Sequence, residues 1–139
     1  MNEERVMIIT GGSTGLGSEL AKYFVSKGFR LVVNYFFDKD VQELIGNNPT
    51  LGNKDKVLFS QADVSNREQV QSMFDNAINK FGRVDILLNF AGINRDAPFT
   101  EITDDMWDSV IAAHLKGHFI CGQEYVAHNP DREGLILNI

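Results

Sequence analysis

The run Thr10-Gly11-Gly12-Ser13-Thr14-Gly15-Leu16-Gly17 follows directly on the apolar stretch Val6-Met7-Ile8-Ile9 and precedes Leu20, Ala21, Phe24 and Val25, which fall at helical spacing. A glycine-rich turn between a strand and a helix suits phosphate, because it brings backbone N–H groups and the positive end of a helix dipole to one point. Gly11 can take a positive φ in the tight turn, Gly15 lets backbone approach a pyrophosphate, and Gly17 lets the helix lie close to the strand. Ser13, Thr14 and Leu16 complete the cradle. Glycine-rich turns also arise for conformational reasons alone, so the flanking strand and helix patterns are what favour a ligand here. No Lys stands where a P-loop requires one, which points to a dinucleotide rather than a nucleoside triphosphate.

Other groups with chemistry in them follow later apolar runs. Asp63-Val64 closes one, where the carboxylate can accept from an adenine amino group and the next backbone N–H can meet a ring nitrogen; Asp63 reads equally as a turn residue leading a helix. Asn89-Phe90-Ala91-Gly92 ends another. There Ala91 and Gly92 are small enough for a ribose and a nicotinamide to lie on the backbone, although the same residues also make an ordinary turn. Asn89 suits a structural, ribose-adjacent role. His114 lies in a helical pattern beside Leu115, a setting more typical of a hydrogen-bonded packing histidine than of a catalyst.

These groups need positioning, and the pattern supplies the elements. Short branched runs alternate with longer helical stretches, the signature of repeated βαβ units and a parallel sheet. Strands are expected at residues 6–10, 31–35, 57–61, 86–89 and 135–139, all buried, since runs such as Ile86-Leu87-Leu88 are continuous rather than alternating. Helices are expected at 16–26, 39–45, 67–80 and 104–125, with 46–53 a turn-rich loop that cuts the second short. Thr103 before Asp104 and Asp105 is a strong helix start, and Ser65 or Asn66 can cap the third helix.

With 139 residues the chain suits one domain, and 43% apolar with 23% charged residues suits a globular one. A formal net charge of -6 opposes nucleic acid and anionic membrane surfaces. The polar start, Met1-Asn2-Glu3-Glu4-Arg5, does not read as a signal peptide, and no apolar run approaches a bilayer span, so the expected location is the cytoplasm. Cys121 has no disulfide partner, no zinc-spaced Cys/His cluster occurs, and an inert buried thiol is expected.

Taken together the motifs resemble the short-chain dehydrogenase/reductase family. The loop at Thr10 to Gly17 matches its T-G-x-x-x-G-x-G and Asp63-Val64 its adenine pair, while Asn89-Phe90-Ala91-Gly92 stands in place of its usual N-N-A-G. Leu115-Lys116-Gly117-His118-Phe119 and Gly134-Leu135-Ile136-Leu137-Asn138-Ile139 extend the match over essentially the whole chain. The resemblance implies a Rossmann doubly wound parallel sheet of order 3-2-1-4-5, NAD or NADP across the carboxyl ends of the strands, and hydride transfer between nicotinamide and a carbonyl or alcohol. It also implies a homo-oligomer through helices that include the fourth. The stretch Gly92-Ile93-Asn94-Arg95-Asp96 and the Trp107 helix most resemble 3-oxoacyl carrier-protein reductases.

Two departures shape the expectation. The family's helix Asn falls at His114, and the family's Ser and Tyr-x-x-x-Lys are expected beyond Ile139. Tyr125 is followed by His128 and Asn129, so it is not that acid. The chain therefore reads as residues 1–139 of an incomplete NAD(P)-binding domain, truncated after the fifth strand, either part of an oxidoreductase or a catalytically silent dinucleotide-binding module. At the end of the second strand Tyr35 replaces the acid of NAD users and Phe36 the Arg of NADP users. With no acid at residue 35 and Lys39 in reach of a 2'-phosphate, the sequence leans toward NADP.

Overall fold

Period-two patterning in the first strand places its side chains on alternate faces, and each face meets a different helical layer. The computed structural model describes residues 4–131 and 133–139. Strands β1 (Val6–Thr10), β2 (Arg30–Tyr35), β3 (Val57–Gln61), β4 (Ile86–Asn89) and β5 (Leu135–Asn138) form one sheet in the order β3-β2-β1-β4-β5. All neighbours are parallel, and the register brings Thr10 opposite Asn89 and Asn89 opposite Asn138. Helices α1 (Gly15–Ser26) and α2 (Asp38–Asn47) cover one face; α3 (Arg67–Phe81) and α5 (Gly117–Ala127) cover the other, with α4 (Asp104–Ile111) leading into α5.

Val6 and Ile8 join Val32, Met73, Phe74, Leu87 and Ile120 in one core, while Met7 and Ile9 join Ala21, Val25, Leu31, Val33 and Leu88 in the other. Strand β1 is fully buried because it lies between β2 and β4 with a core on each side. Asp85 fastens its start: the carboxylate accepts from Val6 N at 2.8 Å and from Arg83 Nε at 2.8 Å.

Three expectations are corrected. Strand β5 is not buried: Leu135 and Leu137 are exposed, because they lie on the α1 face, where no described helix reaches that edge, and only Ile136 packs against the opposite core. Residues 46–53 are turn-rich as expected, but α2 runs past residue 45 through Asn47, and a 3-10 turn over Pro49–Gly52 buries Leu51 in the α1-side core. Residues 104–125 are not one regular helix, since a π-helical turn at Ala112–Lys116 interrupts them. Beyond it Gly117, Ile120, Cys121, Glu124 and Tyr125 are buried, whereas α4 buries no residue completely. The widened turn shifts the helix phase so that α5 can lie on the core, and Gly117 permits the approach: a Cβ there would stand 2.7 Å from Val64 Cγ2.

Thr103 caps α4 by accepting from Met106 N at 3.2 Å, and Asn66, rather than Ser65, caps α3 by accepting from Gln69 N at 3.2 Å. Among the described residues no helix is long and apolar enough to cross a membrane.

Candidate functional site

The first turn of α1 differs from those of α2, α3 and α4. Those three carry Asp38 and Asp40, Glu68, and Asp104 and Asp105 beside their N-termini; α1 carries no acid, and Thr14, its N-cap in extended geometry, caps with no side-chain hydrogen bond. The N–H groups and positive dipole end of this helix meet no carboxylate in its own first turn. Gly11 and Gly15 hold positive φ of 62° and 52°, shaping the backbone around that end. Gly15 faces open space, whereas Gly17 is packed tightly against the loop. A Cβ at Gly17 would strike the Gly11 carbonyl and the Gly12 Cα, so this residue brings the helix close to its own loop and not, as expected, to the strand. Leu16 is exposed on the first turn and Ser13 is buried beneath it.

Two buried polar side chains hold this loop in place: Thr10, which the motif includes without a role, and Asn34, which lies outside it. Thr10 Oγ1 accepts from Phe90 N at 3.0 Å and Ala91 N at 3.1 Å, tying the end of β1 to the turn after β4. A Cβ on Gly11 would stand 2.9 Å from Ala91 Cα, so the two turns lie in contact. Asn34, only 2% exposed, accepts from Gly11 N through Oδ1 at 3.1 Å and donates through Nδ2 to Ala62 O at 3.0 Å. Its carbonyl accepts from Gly12 N at 2.9 Å. The signal for Asn34 was present as one amide in the apolar run Leu31-Val32-Val33-Asn34. A buried amide persists only when its hydrogen bonds are made.

The remaining residues gather along the same carboxyl edge. Asp63 Oδ1 accepts from Ser65 N at 2.8 Å and Ser65 Oγ at 2.7 Å, so one oxygen makes the helix-leading turn. Val64 is buried against Gly117. Asn89 is fully buried; Nδ2 donates to Asn138 Oδ1 at 2.8 Å, while Oδ1 has no partner. Tyr35 ends β2 beside Asp38, and its phenol is raised above the usual tyrosine value first by burial and then by that carboxylate.

His114 sits in the π-helical turn with Nε2 2.9 Å from Ile93 O and 3.0 Å from Ile93 N. With a proton on Nε2 it donates to the carbonyl; without one it accepts from the N–H. Gly92 makes room for the imidazole, because a Cβ there would overlap the ring. His114 also borders a cavity of about 320 Å³ whose lining is apolar at Ile93, Ile102, Met106, Trp107 and Val110 and polar at Asn94, Arg95 and Asp96. His118, one turn further on, buries Nε2 without a partner, and burial lowers it below the usual histidine value, with the Ala91 backbone opposing and His114 assisting.

Tyr-x-x-x-Lys spacings do occur in the chain, at Tyr23–Lys27 and Tyr35–Lys39. Tyr23 lies on α1 and Tyr35 at the end of β2, whereas His114 lies in the π-helical turn. Tyr23 lies about 12 Å along α1 from its N-terminus, with the Lys27 ammonium 5.3 Å over its ring. The Lys39 ammonium lies 5.7 Å over Phe37, and burial, then the Asp38 carboxylate, raises the Tyr35 phenol above its ordinary value. Cys121 is fully buried and pushed up to about 12 by burial. No group of His, Cys, Asp and Glu able to hold a metal occurs among the described residues.

Comparison with known proteins agrees with this geometry. The family model for short chain dehydrogenase matches residues 5–139. The chain is 33% identical over 138 residues to hydroxy(phenyl)methylsuccinyl-CoA dehydrogenase subunit BbsD from Thauera aromatica, covering 99% of this chain and 55% of that one. It is 31% identical over 140 residues to a 3-oxoacyl-acyl-carrier-protein reductase from Staphylococcus aureus, covering all of this chain and 56% of the relative. A crystal structure of a short chain dehydrogenase from Bacillus anthracis superposes with a TM-score of 0.90 at 33% identity, over 98% of this chain and 56% of that one. The chain thus spans about half the length of the relatives it matches.

Proposed function

The chain belongs to the short-chain dehydrogenase family, and we propose that it binds a nicotinamide dinucleotide, NAD or NADP, for hydride transfer between the nicotinamide and a carbonyl or alcohol substrate. The observation that carries the proposal is the acid-free, uncapped N-terminus of α1 facing a β4 turn pinned by Thr10. An anion at that terminus and a ring on the Ala91-Gly92 backbone are the two ends of one dinucleotide. The dinucleotide supplies or accepts the hydride; the residues of this chain bind and orient it. Gly11, Ser13, Thr14, Gly15, Leu16 and Gly17 surround the pyrophosphate, Tyr35, Asp63 and Val64 the adenosine, and Asn89, Ala91 and Gly92 the nicotinamide riboside.

The substrate side is the cavity beside His114, whose lining of Ile93, Ile102, Met106, Trp107 and Val110 suits an acyl chain. A 3-oxoacyl thioester is the substrate class this supports, in keeping with the reductase resemblance. His114 holds Ile93 and so the floor between cofactor and substrate. We propose that residues 1–139 by themselves bind cofactor without turning over. For NADP speak Lys39 and the absence of an acid at residue 35; against it speak the carboxylates of Asp38, Asp40 and Glu43.

Trp107, Leu115 and Phe119 are exposed at 64%, 67% and 57% along α4, the π turn and α5, an apolar stripe that fits a homo-oligomer contact. A cytoplasmic location follows the same reading. Titration with NADH and NADPH, followed by nicotinamide fluorescence, tests the binding: saturable binding of either supports it, and binding of neither by folded protein overturns it. Hydride transfer to an acetoacetyl thioester by residues 1–139 alone overturns the silent part of the reading.

A further inference from the structure

We propose that His118 is a positioning residue for the turn proposed to face the nicotinamide: with a neutral ring it lets Ala91-Gly92-Ile93 close against α5, and on protonation the turn opens and the dinucleotide leaves. The inference rests on the cofactor reading above and adds to it a proton that competes with the nicotinamide half alone.

Strand β4 fixes which residues meet α5. Leu87 and Ala91 lie with the core under α3 and α5, and Ile86, Leu88 and Phe90 with the other, so the alternation puts Asn89 on the α5 face as well. Helix α5 comes down onto that face where Gly117 lies against Val64. His114 and His118, four residues apart, then back successive parts of the turn. His114 Nε2 lies 2.9 Å from Ile93 O, its ring fills the space a Gly92 side chain would need, and the Ala91 backbone acts on His118. From the other side Thr10 Oγ1 accepts from Phe90 N and Ala91 N. The turn is held between β1 and two imidazoles.

Among the described residues two buried side-chain atoms have no hydrogen-bond partner, Asn89 Oδ1 and His118 Nε2, and both belong to this part of the fold. A neutral imidazole can carry one bare nitrogen. An imidazolium carries two N–H donors, and the buried one then has no acceptor. No carboxylate offsets the charge either. On α3, Arg67 is bound to Gln123 and Glu124, and Asp75 to His128; at the end of β3, Asp63 is turned onto Ser65. Lys116 is exposed, and Asn89 is a neutral amide whose Nδ2 is taken by Asn138. Burial lowers His118 most, the Ala91 backbone opposes, and His114 assists, so the one titratable group that acts on it disfavours the charge.

The buried Nε2 reaches water only if the turn moves off α5. A nicotinamide lying on the Ala91-Gly92 backbone needs the turn closed and covers it, so binding holds His118 neutral. Proton and cofactor exclude one another: affinity is full above the folded His118 value, which lies below the ordinary histidine value, and falls as pH drops through it.

The test compares NADH with ADP-ribose, which keeps the adenosine and pyrophosphate but lacks the nicotinamide, by calorimetry from mildly alkaline to mildly acid pH. NADH should hold its affinity down to neutrality and then weaken by up to about tenfold per pH unit, the slope of one proton, while ADP-ribose stays within about twofold. His118→Gln should remove the acid loss, and His114→Gln should keep it. Carbon-13 NMR of the three histidine rings in the wild type gives a reading that needs no variant: His118 should titrate at lower pH when NADH is bound. NADH affinity flat in acid, equal loss for both ligands, loss that survives His118→Gln or vanishes in His114→Gln, or a His118 ring that titrates alike in free and bound protein each overturns the inference and leaves the cofactor reading intact. Failure of folded protein to bind NADH at any pH overturns the cofactor reading and this inference with it.

Discussion

Replacing Thr10 by Val removes one oxygen atom and almost no volume, yet that oxygen is the acceptor for two backbone N–H groups of the β4 turn, at 3.0 and 3.1 Å. The threonine is fully buried, and Phe90 and Ala91 are half-buried, so water replaces the lost acceptor only in part. At about 1 to 1.5 kcal/mol for each hydrogen bond, the substitution costs about 2 to 3 kcal/mol. The valine methyl returns up to about 0.8 kcal/mol through burial, leaving a net loss of about 1.2 to 3 kcal/mol. With a urea dependence of about 2 kcal/mol per molar, the unfolding midpoint falls by about 1 M. Thr10→Ser keeps the acceptor, loses a buried methyl, and should cost about 1 kcal/mol. Because the same turn faces the nicotinamide in the proposed site, Thr10→Val should weaken NADH by about tenfold or more and Thr10→Ser by no more than about threefold. A valine variant that unfolds and binds like the wild type, or a serine variant that suffers as much as the valine, would refute the hydrogen-bonding account.

The other expectations concern neighbouring groups. Gly92→Ala puts a methyl into the space of the His114 ring, costing about 1 to 3 kcal/mol; in a His114→Ala background more than half of that cost should vanish, and additive denaturation midpoints would contradict the contact. His118 is lowered by burial, so the unfolded chain binds more protons than the folded one between the folded value and the ordinary histidine value. Its contribution to stability is therefore present above that window and lost as pH falls through it. His118→Gln should flatten the decline in unfolding free energy below neutrality, and an unchanged slope would remove His118 as its source. Cys121, buried and pushed up to about 12, should resist an aromatic disulfide reagent at pH 8 until the protein unfolds, and prompt labelling of the native state would contradict its burial.

Much of the fold is legible because its signals are local. The apolar run Val6-Met7-Ile8-Ile9 needs two covering faces wherever it sits, and the glycines at 11 and 15 mark backbone conformations that side chains resist. The π-helical turn is not local in this sense: residues 104–125 read as one helix until Gly117 is set against Val64, a contact across the sequence. Leu51 reads as a loop residue within a stretch rich in Gly and Asn, and it becomes core because the α1-side face at β2 and β3 has a gap to fill. Strand β5 reads as buried because its composition matches β4; burial depends on what covers a strand, which composition does not contain.

The sequence by itself determined the order of elements, the glycine-rich loop between β1 and α1 and the kinship, because each is written in residue types at fixed intervals. Tertiary structure decided which polar groups act together. Thr10 with the β4 turn, Asn34 with both the loop and the β3 end, and His114 with Ile93 all owe their pairing to the sheet order or the course of the chain in space. Hydrogen bonds and charges act over a few ångströms, and only folding brings residues far apart in sequence within that range.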